Sequence, residues 1–79
     1  MHWWYKCVER TDDGYVYAYS RESRALDGLI KYSLADGSAQ IIRESDTDCG
    51  SARMLERSLT HFELIVREGF PKERHVCCG

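Results

Sequence analysis

The fold is decided by residues 14–42, which read GYVYAYSRESRALDGLIKYSLADGSAQII. At the start of this stretch, residues 15–20 alternate between tyrosine and a smaller side chain. A period of two is typical of a β-strand with one buried face. Asp-Gly pairs at 27–28 and 36–37 are turn signals. The stretch therefore predicts most of a β-sheet, which the rest of the chain extends and covers.

A first hairpin is predicted where residues 3–10, rich in aromatic side chains, meet residues 15–20 across an Asp-Asp-Gly turn. A two-residue turn at Asp13-Gly14 pairs Asp12 with Tyr15, and this register sorts the side chains onto two faces. One predicted face carries Trp3, Tyr5, Cys7, Val16 and Ala18. The other predicted face carries Trp4, Val8, Tyr15, Tyr17 and Tyr19.

A second hairpin is predicted after a polar connection over residues 21–28. Apolar residues between 26 and 34 also fall at helical spacing, but Gly28 inside that pattern costs a helix about 1 kcal/mol relative to alanine. The turn signal Asp36-Gly37 favours two strands instead. In the predicted register Leu34 pairs with Ala39 and Tyr32 with Ile41. One face then carries Ile30, Tyr32, Leu34, Ala39 and Ile41.

The clearest helix is predicted over residues 51–68, after a polar loop at 43–50. Ser51 is a favourable N-cap, Gly69 is placed for a C-cap and Pro71 for a stop. Apolar residues recur at steps of three and four at Ala52, Leu55, Leu59, Phe62 and Val66. Residues 72–78 are expected to form a short last strand.

These elements predict a single α+β domain over residues 1–79, in the order ββββα, with or without the short last strand. We expect a four- or five-stranded, mostly antiparallel sheet with one C-terminal helix on one face. A 79-residue chain buries only about 60–65% of its unfolded surface. Its core then supplies roughly 3–5 kcal/mol of net stability, so a partner subunit, a metal or a disulfide would help.

Charge and hydropathy exclude several classes of protein. The net charge is −2, and basic and acidic residues are interleaved along the chain, so no basic stripe for nucleic acid is expected. The longest strongly apolar run spans only residues 64–66, too short for a transmembrane helix. The first residues have no charged segment followed by an apolar one, as a secretory signal would. We expect a cytoplasmic protein with reduced cysteines and no membrane partner.

Three short runs carry a resemblance: YSRES at 19–23, LDGLIKY at 26–32 and FPKER at 70–74. They resemble a group of small uncharacterised bacterial proteins, many of which close with a proline-rooted basic tail. The resemblance covers roughly half the chain and implies no activity, ligand or catalytic residue. The Cys77-Cys78 ending departs from the group.

Aromatic side chains supply the leading functional hypothesis. If the helix covers the opposite face of the sheet, an aromatic set is left open, and tyrosine and tryptophan are enriched at protein interfaces. This predicts a non-enzymatic protein–protein interaction or accessory module, with a homodimer as one form. The alternative is that the tyrosine face is the core and the Trp3/Tyr5 face lies outside. The predicted interaction residues are Trp4, Tyr15, Tyr17, Tyr19 and Tyr32.

Cysteine and histidine supply a second hypothesis, a small zinc- or thiol-dependent protein. His75, Cys77 and Cys78 form the densest group of suitable ligands, and Cys7 approaches them if the last strand lies beside the first. No Cys-x2-Cys spacing occurs, and the alternative is that these are buried small hydrophobes and surface thiols. Because no paired carboxylates, glycine-rich phosphate loop or Ser/His/Asp arrangement stands out, no enzyme is expected.

Overall fold

Five strands and one helix make up the part of the chain that the computed structural model describes, residues 1–77. The strands form one antiparallel sheet in the order β4-β3-β2-β1-β5, and the helix follows the fourth strand. The predicted fold class is confirmed, including the short last strand. The elements are β1 (His2–Thr11), β2 (Gly14–Arg21), β3 (Gly28–Ser33), β4 (Ser38–Arg43), α1 (Ala52–Arg67) and β5 (Glu73–Cys77).

The pairing of β1 with β2 corrects the predicted faces of the first hairpin. Thr11 pairs with Gly14 and Arg10 with Tyr15, so the turn is Asp12-Asp13 and the predicted pairing of Asp12 with Tyr15 is wrong. Cys7 lies opposite Tyr17, but Glu9 lies opposite Val16, so Val8 is an extra residue in β1. A bulge of this kind moves every preceding side chain to the other face. The predicted separation of Trp3, Tyr5 and Cys7 from the tyrosines is therefore wrong. In the structure these three share one face with Tyr15, Tyr17 and Tyr19.

The predicted faces of the second hairpin are correct, although its loop is longer. Tyr32 pairs with Ala39 and Ile30 with Ile41, so the four share a face as expected. Residues 34–37 form the turn, which places Leu34 in the loop rather than in a strand. Gly37 has a φ of +65°, a conformation that favours glycine. Both added loop residues, 34 and 35, precede the predicted turn, so the pairing shifts by two residues and the predicted pairs of Leu34 with Ala39 and Tyr32 with Ile41 are wrong. A shift of two residues leaves the faces unchanged.

Aromatic rings dominate the core, which lies between α1 and the face of the sheet that carries Trp3 and Tyr17. Phe62 of the helix meets Tyr5 and Tyr17 edge-on, with ring centroids 5.8 and 5.3 Å apart. Gly28 lies opposite Tyr19, and a Cβ there would sit 2.3 Å from the tyrosine ring. Rings of this size therefore require glycine at that position. The buried cluster comprises Trp3, Tyr5, Tyr17, Tyr19, Ile30, Phe62, Ile65 and Val76.

Both predicted caps of α1 are confirmed. The hydroxyl of Ser51 accepts a hydrogen bond from the backbone amide of Met54 at 3.3 Å. At the other end Gly69 has a φ of +80°, and its amide donates to Val66 while that of Phe70 donates to Ile65. This is the Schellman arrangement, which satisfies the last carbonyls of the helix.

A buried polar chain ties the helix to the sheet. Ser58 Oγ accepts from the indole nitrogen of Trp3 at 2.9 Å and donates to Asp48 Oδ2 at 2.6 Å. The other oxygen of Asp48 is held by Arg21 Nε at 2.8 Å. Ser58 and Asp48 have no exposed surface. Every member is paired, so the chain stabilises the helix at this position rather than leaving polar groups unsatisfied.

We predict that Ser58→Ala lowers the free energy of unfolding by about 1–3 kcal/mol, because it leaves buried polar groups of Trp3 and Asp48 without a partner. Urea denaturation measures the change. Thr60→Ala is the matched control, since it removes an exposed hydroxyl that bonds only Glu56 O in the same helix. An equal loss of stability in both variants would contradict a special role for Ser58.

A second polar contact joins the β2–β3 loop to the β4–α1 loop. Asp27 accepts from Ser45 Oγ at 2.7 Å and from the amide of Asp46 at 3.0 Å. The Ser45 hydroxyl, followed by the Asp46 amide, lowers the pKa of Asp27. The amide of Ser45 in turn donates to the hydroxyl of Tyr19 at 3.1 Å, which links both loops to the core.

Asp27 should make stability depend on acid pH. A carboxyl whose pKa is lowered by folding stabilises the folded state above its unfolded pKa, and that contribution disappears as pH falls through the folded pKa. The difference in unfolding free energy between wild type and Asp27→Asn should therefore be largest near neutral pH and shrink below about pH 4. Urea titrations between acid and neutral pH measure it. Asp36→Asn, at an exposed turn carboxylate, is the control, and a constant difference for Asp27→Asn would contradict the expectation.

Candidate interaction site on the open face of the sheet

The predicted interaction residues do not lie together on an exposed surface. Tyr17 and Tyr19 have no exposed surface, because the Val8 bulge and the helix place both in the core. The ring of Tyr15 stacks on that of Phe70, with centroids 3.9 Å apart. Tyr32 lies on the same face as Tyr15, the face that carries the helix. The expected open tyrosine stripe is therefore wrong. The alternative is correct for the tyrosines and wrong for Trp3 and Tyr5, which are buried with them.

Buried tyrosine hydroxyls serve as structural donors. Tyr5 donates to the backbone oxygen of Ser58 at 2.7 Å, and Tyr17 donates to that of Pro71 at 2.5 Å. Burial raises the pKa of Tyr5 and of Tyr17 well above the ordinary tyrosine value. Both hydroxyls therefore keep their protons and tie the sheet to α1 and to the segment that follows it.

Trp4 is the one predicted interaction residue on the open face, the face opposite α1. Its ring stacks on His75 of β5, with centroids 4.6 Å apart and planes 6° apart. The Arg24 guanidinium carbon lies 5.8 Å from the Trp4 ring centroid. Both His75 of β5 and Arg24 of the β2–β3 loop therefore lie against the indole.

Two histidines extend this stack towards the end of the sheet. His2 Nδ1 and His75 Nε2 are 2.9 Å apart, a hydrogen bond that requires one nitrogen to carry a proton and the other to accept it. The backbone amide of His2 donates to Glu22 Oε1 at 2.7 Å. That bond lowers the pKa of Glu22. We call Trp4, His75, His2 and Arg24 the ring stack.

The β2–β3 loop lies beside the ring stack and forms one side of a groove. Ser20 Oγ donates to Ser23 O at 2.6 Å and accepts from the amide of Leu26 at 3.1 Å, which folds the loop back over the sheet. Leu26 has a φ of +50°, which is uncommon for this residue type. The result is a groove of about 390 Å³ lined by Trp4, Lys6, Arg24, Leu26, Glu73 and His75.

The open face differs in charge from the chain as a whole. The net charge of the chain is −2. Register places Lys6 and Glu9 of β1, Lys31, Arg43 and Glu73 on the open face, and Arg24 reaches it over Trp4. Four basic side chains therefore stand against two acidic ones. This excess of positive charge surrounds an apolar centre that includes Ala18 and Leu29.

The predicted metal residues are divided between the two faces. β5 does pair with β1, and the Cys7 amide bonds Lys72 O at 2.8 Å. Alternation nevertheless places the Cys7 thiol beside Tyr17 on the covered face, whereas His75 and Cys77 lie on the open face. Cys78 lies outside the described residues. Within residues 1–77, no group of three or more His, Cys, Asp or Glu side chains is arranged to hold a metal ion.

Several residues of the site were not predicted. His2 and Lys6 follow from the pairing of β5 with β1, since alternation then places both beside Trp4 and His75 on one face. Alternation alone thus groups His2 and Lys6 with Trp4, and the Val8 bulge decides that their face is the open one. Arg24 and Leu26 depend on the fold of a connecting loop, for which the sequence gives no periodic pattern.

Comparison of the chain with protein-family models, with curated proteins and with solved structures finds no match. The resemblance to small bacterial proteins therefore stays a prediction. No helix within residues 1–77 has the length and apolar character needed to cross a membrane.

Adjacent tryptophans on opposite faces allow a direct test of this arrangement. Trp3→Ala should lower the free energy of unfolding by about 3–5 kcal/mol because it opens a cavity in the core. Trp4→Ala should cost only about 0.5–1.5 kcal/mol, the value of lost ring stacking at the surface. Urea denaturation measures both losses, and a Trp3→Ala protein that is unfolded without urea counts as the larger loss, because its predicted cost is as large as the net stability expected for the domain. Similar losses would contradict the assignment of the two faces.

Proposed function

We propose that this protein is a non-enzymatic interaction module that binds an acidic surface of a partner protein through the open face of its sheet. The observation that carries the proposal is the ring stack, in which a partly exposed Trp4 lies beside a groove. The same face of the sheet also carries the basic residues Lys6, Lys31 and Arg43. The module's helix and core hold this face in place.

Preorganisation supports a binding role for Trp4. Tryptophan and arginine are the residue types that most often dominate the energy of protein interfaces. Contacts with His75 and Arg24 already restrict the indole before any partner arrives. A side chain that is ordered in the free protein loses less entropy on binding.

The size of the face favours a transient complex. Five strands spaced about 4.8 Å apart and five to ten residues long present roughly 550 Å². A standard stable interface buries about 800 Å² on each partner. The face alone is therefore too small for an obligate complex and suits an accessory module that binds and releases.

Charge and ring geometry favour a protein partner over other occupants. Two copies placed open face to open face would oppose surfaces of the same net positive charge, which disfavours a homodimer through this face. Single-stranded nucleic acid binds by stacking bases on free aromatic faces. Because His75 is stacked on the Trp4 ring and Arg24 lies 5.8 Å from its centroid, less of the ring is open to a stacked base.

Affinity capture from an extract of the source organism tests the proposal. The bait is the whole chain, compared with Lys31→Glu/Arg43→Glu, which reverses two charges of the open face. We expect the captured partner to be acidic and its recovery to fall at least tenfold with the charge-reversed bait, since like charges now oppose binding. Quantitative mass spectrometry measures recovery.

The control is Arg53→Glu/Lys72→Glu, which makes the same charge change at exposed positions off the open face. Recovery should match that of wild type. Equal recovery with both variants, or equal loss, would contradict binding through the open face. Sedimentation of the bait alone reveals self-association, and a dimer abolished by the Lys31→Glu/Arg43→Glu change would replace the partner by a second copy.

A further inference from the structure

A second groove lies on the other side of the sheet, between α1 and the edge strand β4. Its volume is about 420 Å³. Leu59, Phe62 and Val66 of the helix form an apolar floor, and Ala39 of β4 and Tyr32 of β3 close it on the sheet side. The small side chain of Ala39 leaves this space open, whereas a larger residue there would fill it. The groove is separate from the ring stack and shares no residue with it.

β4 forms one edge of the sheet. Its only partner among the described strands is β3, so its outer backbone amides and carbonyls are available to a further strand. Side chains of an added strand alternate between the two faces of the sheet. Every second side chain of such a strand would therefore point into the groove beside Ala39 and α1.

The helical side of the groove carries acidic side chains. Glu56 and Glu63 both line it and are exposed. They are seven residues apart, which is about 10.5 Å along a helix. Thr60 lies between them, and Arg67 lies one turn beyond Glu63 at the end of the groove. An incoming segment thus meets an apolar floor with two carboxylates along its helical side, and Arg67 closes the end beyond Glu63.

We propose that this groove binds an extended peptide segment, which adds to the sheet as a strand beside β4 and presents basic, apolar and basic side chains to α1. β-Strand addition of this type uses backbone bonds for affinity and side-chain pockets for specificity. Groove-facing residues of a strand are about 6.6–6.8 Å apart, so the two basic residues are about 13 Å apart. Flexible lysine side chains bridge the difference from the spacing of Glu56 and Glu63.

Charge argues against a second copy as the occupant. If β4 paired with β4 of another copy around a twofold axis, the helices would lie on the same side of the joined sheet. Glu56 and Glu63 of one copy would then face the same residues of the other across the junction. Like charges opposed in this way disfavour pairing, whereas a basic segment is attracted.

Fluorescence anisotropy with two labelled probe peptides tests the proposal. The basic probe is Thr-Lys-Thr-Val-Thr-Lys-Thr and the acidic probe is Thr-Glu-Thr-Val-Thr-Glu-Thr. Wild type should bind the basic probe at least tenfold more tightly than the acidic one. Glu56→Lys/Glu63→Lys should invert this preference, because it reverses the charges that line the groove.

The control is Glu9→Lys/Glu73→Lys, which makes the same charge change on the open face. It should leave the affinity for the basic probe unchanged, while disturbing the surface used in the proposed function. A failure of one proposal is thus distinguishable from a failure of the other. Equal loss of the basic probe in both variants, or no saturable binding of the basic probe by wild type, would overturn the peptide site.

Backbone pairing is tested with two N-methylated forms of the basic probe, each modified at alternate amides. In an added strand only every second amide faces β4, so one form should lose at least tenfold in affinity and the other should bind like the unmodified probe. Similar affinities of the two forms would show that the peptide docks through side chains alone and would overturn strand addition.

Discussion

The single helix can cover only one face of the five-stranded sheet, so the rings that form the core, Trp3 and Tyr5 of β1 with Tyr17 and Tyr19 of β2, must share that face. A regular hairpin closed by the same turn would place Trp3 and Tyr5 on one face of the sheet and Tyr17 and Tyr19 on the other face. The extra residue Val8 moves the side chains of residues 2–7 to the other face of the sheet, so that Trp3 and Tyr5 lie under α1 together with Tyr17 and Tyr19. The core depends on this one irregularity, since without it two of the largest rings would face solvent.

The same bulge defines the surface that remains open. By turning Trp3 inwards it turns Trp4 outwards, where His75 and Arg24 hold it in place. Trp3 donates a hydrogen bond to Ser58, which in turn donates one to Asp48. The Val8 bulge therefore determines both the position of the helix and the exposure of Trp4. Two neighbouring residues of the same type thus serve stability and, in our proposal, recognition.

Local signals in the sequence are sufficient to predict the strands and the helix, and to predict which side chains of β3 and β4 share a face. Ser51 and Gly69 mark the ends of the helix because caps are chemical requirements of a helix end, and the faces of β3 and β4 follow from parity around Asp36-Gly37. The sequence does not predict the bulge, because valine is a common residue in regular strands and Val8 carries no local signal of an irregularity. A one-residue irregularity then inverted the predicted faces of the first hairpin, and the candidate site changed with them.

Cross-strand NOEs in the first hairpin test this account most directly, because each register brings different residues face to face. With the bulge, Cys7 lies opposite Tyr17 and Tyr5 opposite Tyr19. We predict NOEs between the backbone protons of these pairs, together with NOEs from the Trp3 ring to α1. NOEs that pair Cys7 with Ala18 and Tyr5 with Ser20 would instead indicate a regular hairpin, and would contradict both the core and the open face described for this protein.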